Sequence, residues 1–81
     1  MRIVKENIFN TYRYDVNGVL HDTLIEIVKQ YHYDSEEEKI NHQSEMESNG
    51  YEDSGQVREN IGTIMNPIYV WFGSYYKFEI D

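Results

Sequence analysis

The chain has 81 residues and contains neither cysteine nor alanine, and it has a single proline and two leucines. Without cysteine, no disulfide framework or thiolate metal cluster can stabilise so small a domain, so its stability must come from packing. Helical bundles normally contain much alanine and leucine, and their scarcity disfavours that class. No apolar run reaches the roughly 18 residues of a membrane span, and the charged start does not suit a signal peptide. We therefore expect one soluble cytoplasmic domain over residues 1–81.

Basic residues are also scarce, with 7 Lys and Arg against 15 Asp and Glu and a net charge of −8. Residues 34–59 hold nine of the acids and two of the bases, so nine minus two, or seven, of the net negative charges lie there. Contacts to phosphate require a basic patch, so direct binding to nucleic acid or to an anionic membrane is not expected. A protein partner with a basic surface is compatible with this charge, and so is a purely solubilising role.

The apolar residues that are present suit a sheet. The chain has fifteen Ile and Val, eight Tyr, three Phe and one Trp. β-branched and aromatic side chains pack well on a pleated surface and lose rotamer freedom in helices.

Asn17-Gly18, flanked by valines, predicts a type I′ turn that joins two antiparallel strands. This register pairs Tyr14 with His21, Arg13 with Asp22, Tyr12 with Thr23, Ile8 with Ile27, Glu6 with Lys29 and Val4 with Tyr31. A helix competes for residues 23–33, because apolar residues recur there at helical spacing and Thr23 precedes Glu26 as in a capping box. The β-branched run Ile25–Val28 favours the strand.

Asp34-Ser35 followed by three glutamates predicts a helix start, and Asn49-Gly50 predicts its end. The helix would span about residues 35–49 and bury a thin stripe of Ile40, Gln43, Met46 and marginally Glu47. Residues 51–58 read as a weak polar strand, with a short helix at 54–65 as the alternative.

Residues 68–80 form the hydrophobic centre of the sequence and predict one long strand, with or without a bulge at Gly73. Its even-numbered positions are mostly apolar and are expected to pack beneath the helix. The odd-numbered positions would then leave Tyr69, Trp71 and Tyr75 on an open face of the sheet. The fold class predicted is α+β, a small antiparallel sheet in β-β-α-β-β order with one acidic helix on one face.

The helix end Met46–Tyr51, with its Gly-Tyr step, and the strand-forming residues that follow resemble a group of small uncharacterised proteins from bacteria, their phages and mobile elements. In that group a helix ending in Gly-Trp or Gly-Tyr precedes a final β-hairpin rich in Tyr, Val and Phe. The resemblance covers the layout of about residues 11–80. It implies an antiparallel sheet with one helix, and it implies no catalytic or binding residues.

No motif for a nucleotide, a phosphate, a nucleophilic triad or a calcium loop occurs in the sequence. Glu38 and His42 are four residues apart on the predicted helix and could share a face as metal ligands or as a proton-transfer pair. Two residues do not make a site, so a solvated helix face is the stronger interpretation. We expect no catalytic residue, no metal, no cofactor and no enzymatic activity.

Two features suit binding. The aromatic residues Tyr69, Trp71 and Tyr75, expected to be exposed, predict a non-enzymatic interaction protein that binds a protein partner or forms a homodimer. The resemblance implies that it is of phage or mobile-element type. Alternatively, the carboxylates imitate the phosphates of nucleic acid and occupy a basic protein surface. The acidic candidates for that contact are Glu36, Glu37, Glu38, Glu45 and Glu47.

Overall fold

The computed structural model describes all residues, Met1–Asp81. The elements are β1 (Arg2–Tyr14), β2 (Leu20–Tyr33), α1 (Glu36–Ser48), β3 (Glu52–Asp53), β4 (Arg58–Asn60) and β5 (Tyr69–Ile80). The five strands form one antiparallel sheet in the order β1-β2-β5-β3, and β4 also pairs with β5. The predicted α+β class, with an antiparallel sheet and one helix, is therefore confirmed, and residues 23–33 are strand rather than helix.

The hairpin keeps the predicted register over most of its length but not the predicted turn. From Lys5 to Arg13 the pairs are those expected, including Arg13 with Asp22 and Ile8 with Ile27. The loop, however, has three residues, because Gly18 donates to the Asp15 carbonyl and Asp15 donates to the Val19 carbonyl. Gly18 has a φ of +78°, whereas Asn17 is not left-handed, so the turn is not type I′.

Asp15 explains this turn, since its carboxylate accepts hydrogen bonds from the backbone of Asn17 and of Val19. Tyr14 then pairs with Leu20 instead of His21, and a bulge restores the register by Arg13. A second irregularity pairs Ile3, not Val4, with Tyr31. These two predicted end pairs were wrong because bulges cannot be read from alternation alone.

The helix begins and ends where its capping residues predict. The Ser35 side chain accepts from the Glu38 backbone N–H, and three glutamates occupy the first turn at the positive end of the helix dipole. At the other end, Gly50 donates to the Glu47 carbonyl and Tyr51 donates to the Met46 carbonyl, with Gly50 at a φ of +89°. This is a Schellman motif, and its hydrophobic contact joins Met46 to Tyr51 inside the core.

Residues 51–68 form two short strands rather than one weak strand or a helix. β3 and β4 are separated by a turn in which Gly55 donates to the Asp53 carboxylate. After β4, the Asn60 side chain accepts from the backbone of Gly62 and of Ile68 and closes the loop before β5. β5 is a single strand whose register with β2 runs without a break through Gly73, so that residue makes no bulge.

The molecule is long, thin and sparsely buried. Its extents are 55 × 31 × 18 Å and its radius of gyration is 16.6 Å, against about 12 Å for a compact domain of this length. Only eight residues are buried. Beyond the last β2–β5 contact the β1–β2 hairpin continues as a two-stranded ribbon with both faces open to solvent. The helix covers one end of one side of the sheet.

The side of β5 that faces the helix is the reverse of the prediction. Tyr75 is 0% exposed and packs with Tyr33, Met46 and Tyr51, so the odd-numbered positions of β5 lie on the helix side. The register explains this, because Tyr75 pairs with Lys29 and so shares a side with Tyr31 and Tyr33. A helix with so few apolar residues packs on tyrosines, whose hydroxyls it can bind, rather than on the aliphatic side.

The buried helix stripe is likewise displaced. It consists of Lys39, His42 and Met46, so Met46 is buried as predicted, while Gln43 is half-buried and Ile40 and Glu47 are exposed. Polar residues can occupy the stripe because each finds a partner: the Lys39 ammonium lies 3.2 Å from the Gln43 side-chain oxygen and 3.8 Å from the Asp53 carboxylate.

The N-cap gives a direct test of helix stability. Ser35→Ala removes the acceptor for the Glu38 backbone N–H and is expected to lower the free energy of unfolding by about 1 kcal/mol. Urea denaturation measures it. Ser44→Ala, at an exposed position inside α1, is the matched control and is expected to be neutral or slightly stabilising. Equal losses in both variants would show that Ser35 does not cap the helix.

Candidate functional site

A hydrogen-bond chain connects the helix to the sheet. The Tyr33 hydroxyl on β2 lies 2.6 Å from Nδ1 of His42 on α1 and 2.9 Å from the Tyr75 hydroxyl on β5. All three side chains are buried. Because a tyrosine hydroxyl has one proton, Tyr33 donates to one neighbour and accepts from the other. The chain therefore satisfies three buried polar groups with two hydrogen bonds.

Aromatic rings enclose this chain. The His42 ring contacts Tyr31 at a centroid distance of 4.5 Å and Tyr75 at 5.7 Å, both edge to face. Burial raises the pKa of the Tyr33 and Tyr75 hydroxyls, so both stay neutral. Burial also lowers the pKa of His42, although Glu45 and Glu38 oppose the shift. His42 is therefore held as a neutral imidazole suited to packing against rings.

Tyr51 closes the same cluster beside β5. Its ring lies 4.8 Å from the Lys77 ammonium and 5.7 Å from that of Lys29. Such cation–π contacts hold the segment after the helix against the sheet. Within this polar-aromatic cluster, no fully buried side-chain nitrogen or oxygen lacks a hydrogen-bond partner.

Glu38 and His42 share a face of the helix, as the sequence predicts, but they point to different partners. The Glu38 carboxylate lies 2.6 Å from the N-terminal ammonium, whereas Nδ1 of His42 is bound by Tyr33. Both line a shallow depression of about 440 Å³. No group of three or more His, Asp or Glu side chains is arranged to hold a metal ion. No helix has the length and apolarity needed to cross a membrane.

The remaining acidic candidates lie on the outer surface of the helix. Glu36, Glu37, Glu45 and Glu47 are exposed, and none of them forms a salt bridge within the chain. Glu47 accepts a hydrogen bond from the Gln43 amide. The one lysine of the helix, Lys39, is buried and points toward Asp53. The outer surface of the helix therefore presents carboxylates without compensating cations.

The three aromatic candidates are dispersed rather than clustered on an open face. Tyr75 is buried beneath the helix, so the expectation that it is available to a partner is wrong. Trp71 is half-buried, and the Arg58 guanidinium covers its ring at 4.1 Å. Tyr69 is 60% exposed. The register that places Tyr75 beside Tyr31 and Tyr33 is the physical reason for this correction.

An apolar surface that the prediction missed lies on the other side of the sheet. We call it the open sheet face, and it consists of Phe9, Leu24, Val28, Tyr76, Phe78 and Ile80, which the strand pairings place on one side. Phe9 and Phe78 are each about half exposed, and Ile80 is 69% exposed. The apolar even-numbered positions of β5 indicate this face in the sequence, but they lie on the side away from the helix rather than beneath it.

Comparison of the chain with protein-family models, with curated proteins and with solved structures found no match.

The hydrogen-bond chain predicts that removal of the Tyr33 hydroxyl destabilises the fold. Tyr33→Phe leaves His42 and the Tyr75 hydroxyl without their shared partner and is expected to lower the free energy of unfolding by about 1–3 kcal/mol. Tyr69→Phe, at an exposed position, is the control and should change it by less than about 0.5 kcal/mol. Chemical denaturation compares the two. Equal effects would contradict the chain.

His42 predicts a pH dependence of stability. Because its folded-state pKa lies below the ordinary value of 6.5, the unfolded chain binds the extra proton first as pH falls. Stability is therefore fully present above pH 6.5 and declines below it, until the folded state is protonated too. His42→Gln should flatten this decline in denaturation curves measured across the range. An identical slope in the variant would exclude His42 as its source.

Proposed function

We propose that this protein is a non-enzymatic interaction domain that binds a protein partner, or a second copy of itself, through the part of the sheet that the helix does not cover. The observation that carries the proposal is the open sheet face. Its side chains stand on paired strands, so they are held in place before binding and lose little conformational freedom on contact.

The distribution of exposed apolar residues supports the same conclusion. Nineteen large apolar side chains are at least 40% exposed, and three of them, Phe9, Phe78 and Ile80, belong to the open sheet face. Scattered apolar residues are normal on a surface, but a contiguous group on one sheet is typical of a contact region. The proposed partner is a protein, with no cofactor, no nucleic acid and no membrane. The phage or mobile-element setting rests on the resemblance alone.

The open sheet face can be tested with one substitution and one control. Phe78→Lys places a charge at the centre of the face and is expected to reduce partner capture from a bacterial lysate at least about tenfold. Ile64→Lys adds the same charge at a loop position that is 97% exposed and should leave capture unchanged. Quantitative pull-down measures both. Equal capture by the two variants would exclude this face.

A second candidate function is supported by the helix. Its exposed glutamates, which lack basic partners within the chain, would occupy a basic surface on a nucleic-acid-binding protein. The partner chemistry differs from that of the open sheet face, because association would be driven by charge rather than by apolar contact.

The salt dependence of partner capture distinguishes the two candidate functions. Capture by the helix should collapse between about 0.1 M and about 1 M salt, as the Debye length falls from about 10 Å to about 3 Å. It should also be lost in a Glu36→Gln, Glu37→Gln, Glu45→Gln variant, which keeps side-chain shape and spares the Glu38 contacts. Capture that survives both changes would exclude the acidic candidate and leave the open sheet face.

A further inference from the structure

We infer that β1 is a pairing strand for a second copy of this chain: two β1 strands join antiparallel about a twofold axis perpendicular to the sheet and form one continuous ten-stranded sheet. The inference rests on the proposed function, since it names a partner for the uncovered sheet. It assigns that partner to the free edge of the sheet, which leaves the open sheet face of each copy available.

The first argument is that the outer edge of β1 is unpaired and lacks the features that normally protect an edge strand. β1 lies at one end of the strand order, so one side of its backbone pairs with β2 and the other pairs with nothing. Its register is regular from Lys5 to Arg13, with no proline, glycine or bulge in that stretch. Edge strands are normally protected by shortness, proline, bulges or charges that disfavour pairing. Between Asn7 and Tyr12 this strand has none of these.

The second argument is the distribution of charge. Two copies that each carry a net charge of −8 repel one another, most strongly through residues 34–59. The helix contacts β2, β3 and β5 but not β1. β1 itself carries Arg2, Lys5 and Arg13 against one acid, Glu6, whose carboxylate lies 3.9 Å from the Lys29 ammonium. Pairing through β1 therefore joins the least acidic parts of two copies.

The third argument is that the alternative contact, stacking of two open sheet faces, would bury a charge. Glu26 lies in the middle of that face, paired with Phe9 on one side and Phe78 on the other. It forms no salt bridge in the chain. A stack of two identical faces would enclose two Glu26 carboxylates with no cation to pair them, which is strongly unfavourable, whereas a different protein can supply a cation to that face. Edge pairing leaves Glu26 in contact with water.

Symmetry restricts the register of the pair. When two antiparallel strands are related by a twofold axis perpendicular to the sheet, residues that face each other lie on the same side of the sheet. The axis therefore passes midway between the two copies of one residue, on which the register is centred. An axis at Phe9 would place Lys5 opposite Arg13 of the other copy, and like charges directly opposite are unfavourable. An axis at Ile8 instead places Lys5 opposite Thr11, and an axis at Asn10 places Ile8 opposite Tyr12. The axes at Ile8 and Asn10 avoid this contact and still pair seven of the nine regular residues, so we expect the register to be centred on one of them.

The size of the contact predicts its strength. The regular part of β1 is nine residues, or about 30 Å, long. With the axis at Ile8 or Asn10, seven of these residues face the other copy. By the area that 20–30 residues bury in a standard interface, such a pair buries about 200–300 Å² per chain. That is well below the size of a standard specific interface, so we expect a weak dimer that becomes populated only at high protein concentration.

The absence of cysteine allows a direct test by single-cysteine scanning. Asn7→Cys, Ile8→Cys, Phe9→Cys and Asn10→Cys are oxidised mildly in separate samples, with Val16→Cys and Ile64→Cys as exposed controls. In an antiparallel pair, a cysteine faces its own copy only at the axis, so crosslinking should peak at Ile8 or Asn10. Comparable crosslinking at all four positions would indicate a parallel pair, and crosslinking no faster than in the controls would exclude the edge.

Sedimentation equilibrium provides the second measurement and requires no crosslink. The unmodified chain should approach twice its mass of 9.7 kDa as concentration rises. Ile8→Lys and Asn10→Lys should weaken dimerisation at least about tenfold, whereas Ile64→Lys and Phe78→Lys should not. Two edge variants are used so that a folding defect in one, detected by circular dichroism, leaves the other decisive.

The outcomes separate this inference from the proposed function. A chain that stays monomeric at high concentration overturns the edge dimer, while the capture experiment with Phe78→Lys still decides the proposed function. A dimer that Phe78→Lys disrupts and Ile8→Lys does not would also overturn the edge dimer, and it would place self-association on the open sheet face.

Discussion

The shared hydroxyl of Tyr33 is the contact on which the arrangement of helix and sheet depends. It joins β2 to α1 through His42 and to β5 through Tyr75, so three elements meet at one buried oxygen. The helix has few apolar residues with which to replace this contact, because its buried stripe contains a lysine and a histidine beside Met46. Polar satisfaction, rather than aliphatic packing, therefore decides which side of the sheet the helix covers.

This dependence explains why the remaining sheet stays open. A thirteen-residue helix held through tyrosine hydroxyls covers only one end of one side, and no second helix exists to cover the rest. Strands as long as β1 and β2 then expose apolar side chains on both faces of the hairpin. The acidic charge of the helix and the apolar surface of the sheet consequently occupy different parts of the molecule.

Residues that act on their near neighbours in the sequence predict most of the elements. The pairing of strands that are distant in the sequence is not predicted by such local patterns. Ser35 and Gly50 mark the helix ends through backbone chemistry that acts within a few residues. The Arg13–Asp22 pair agrees with the prediction although the turn does not, because the bulge between Arg13 and Tyr14 offsets the one-residue difference in the loop. Tyr75 lies on the side opposite to the predicted one because both sets of alternating positions in β5 contain large aromatic residues, so alternation alone does not decide which set faces the helix. The two sets of positions are distinguished only by the pairing of β5 with β2, in which Tyr75 faces Lys29, a residue more than forty positions earlier in the sequence.

The two-stranded ribbon at the end of the hairpin has one further consequence. No third strand and no helix contacts it, so its length is independent of the core. Removing or adding two residues in each strand would keep every side chain on its side of the sheet and would change the reach of the molecule by about 7 Å. Evolution or design could therefore adjust how far this protein extends without repacking its interior.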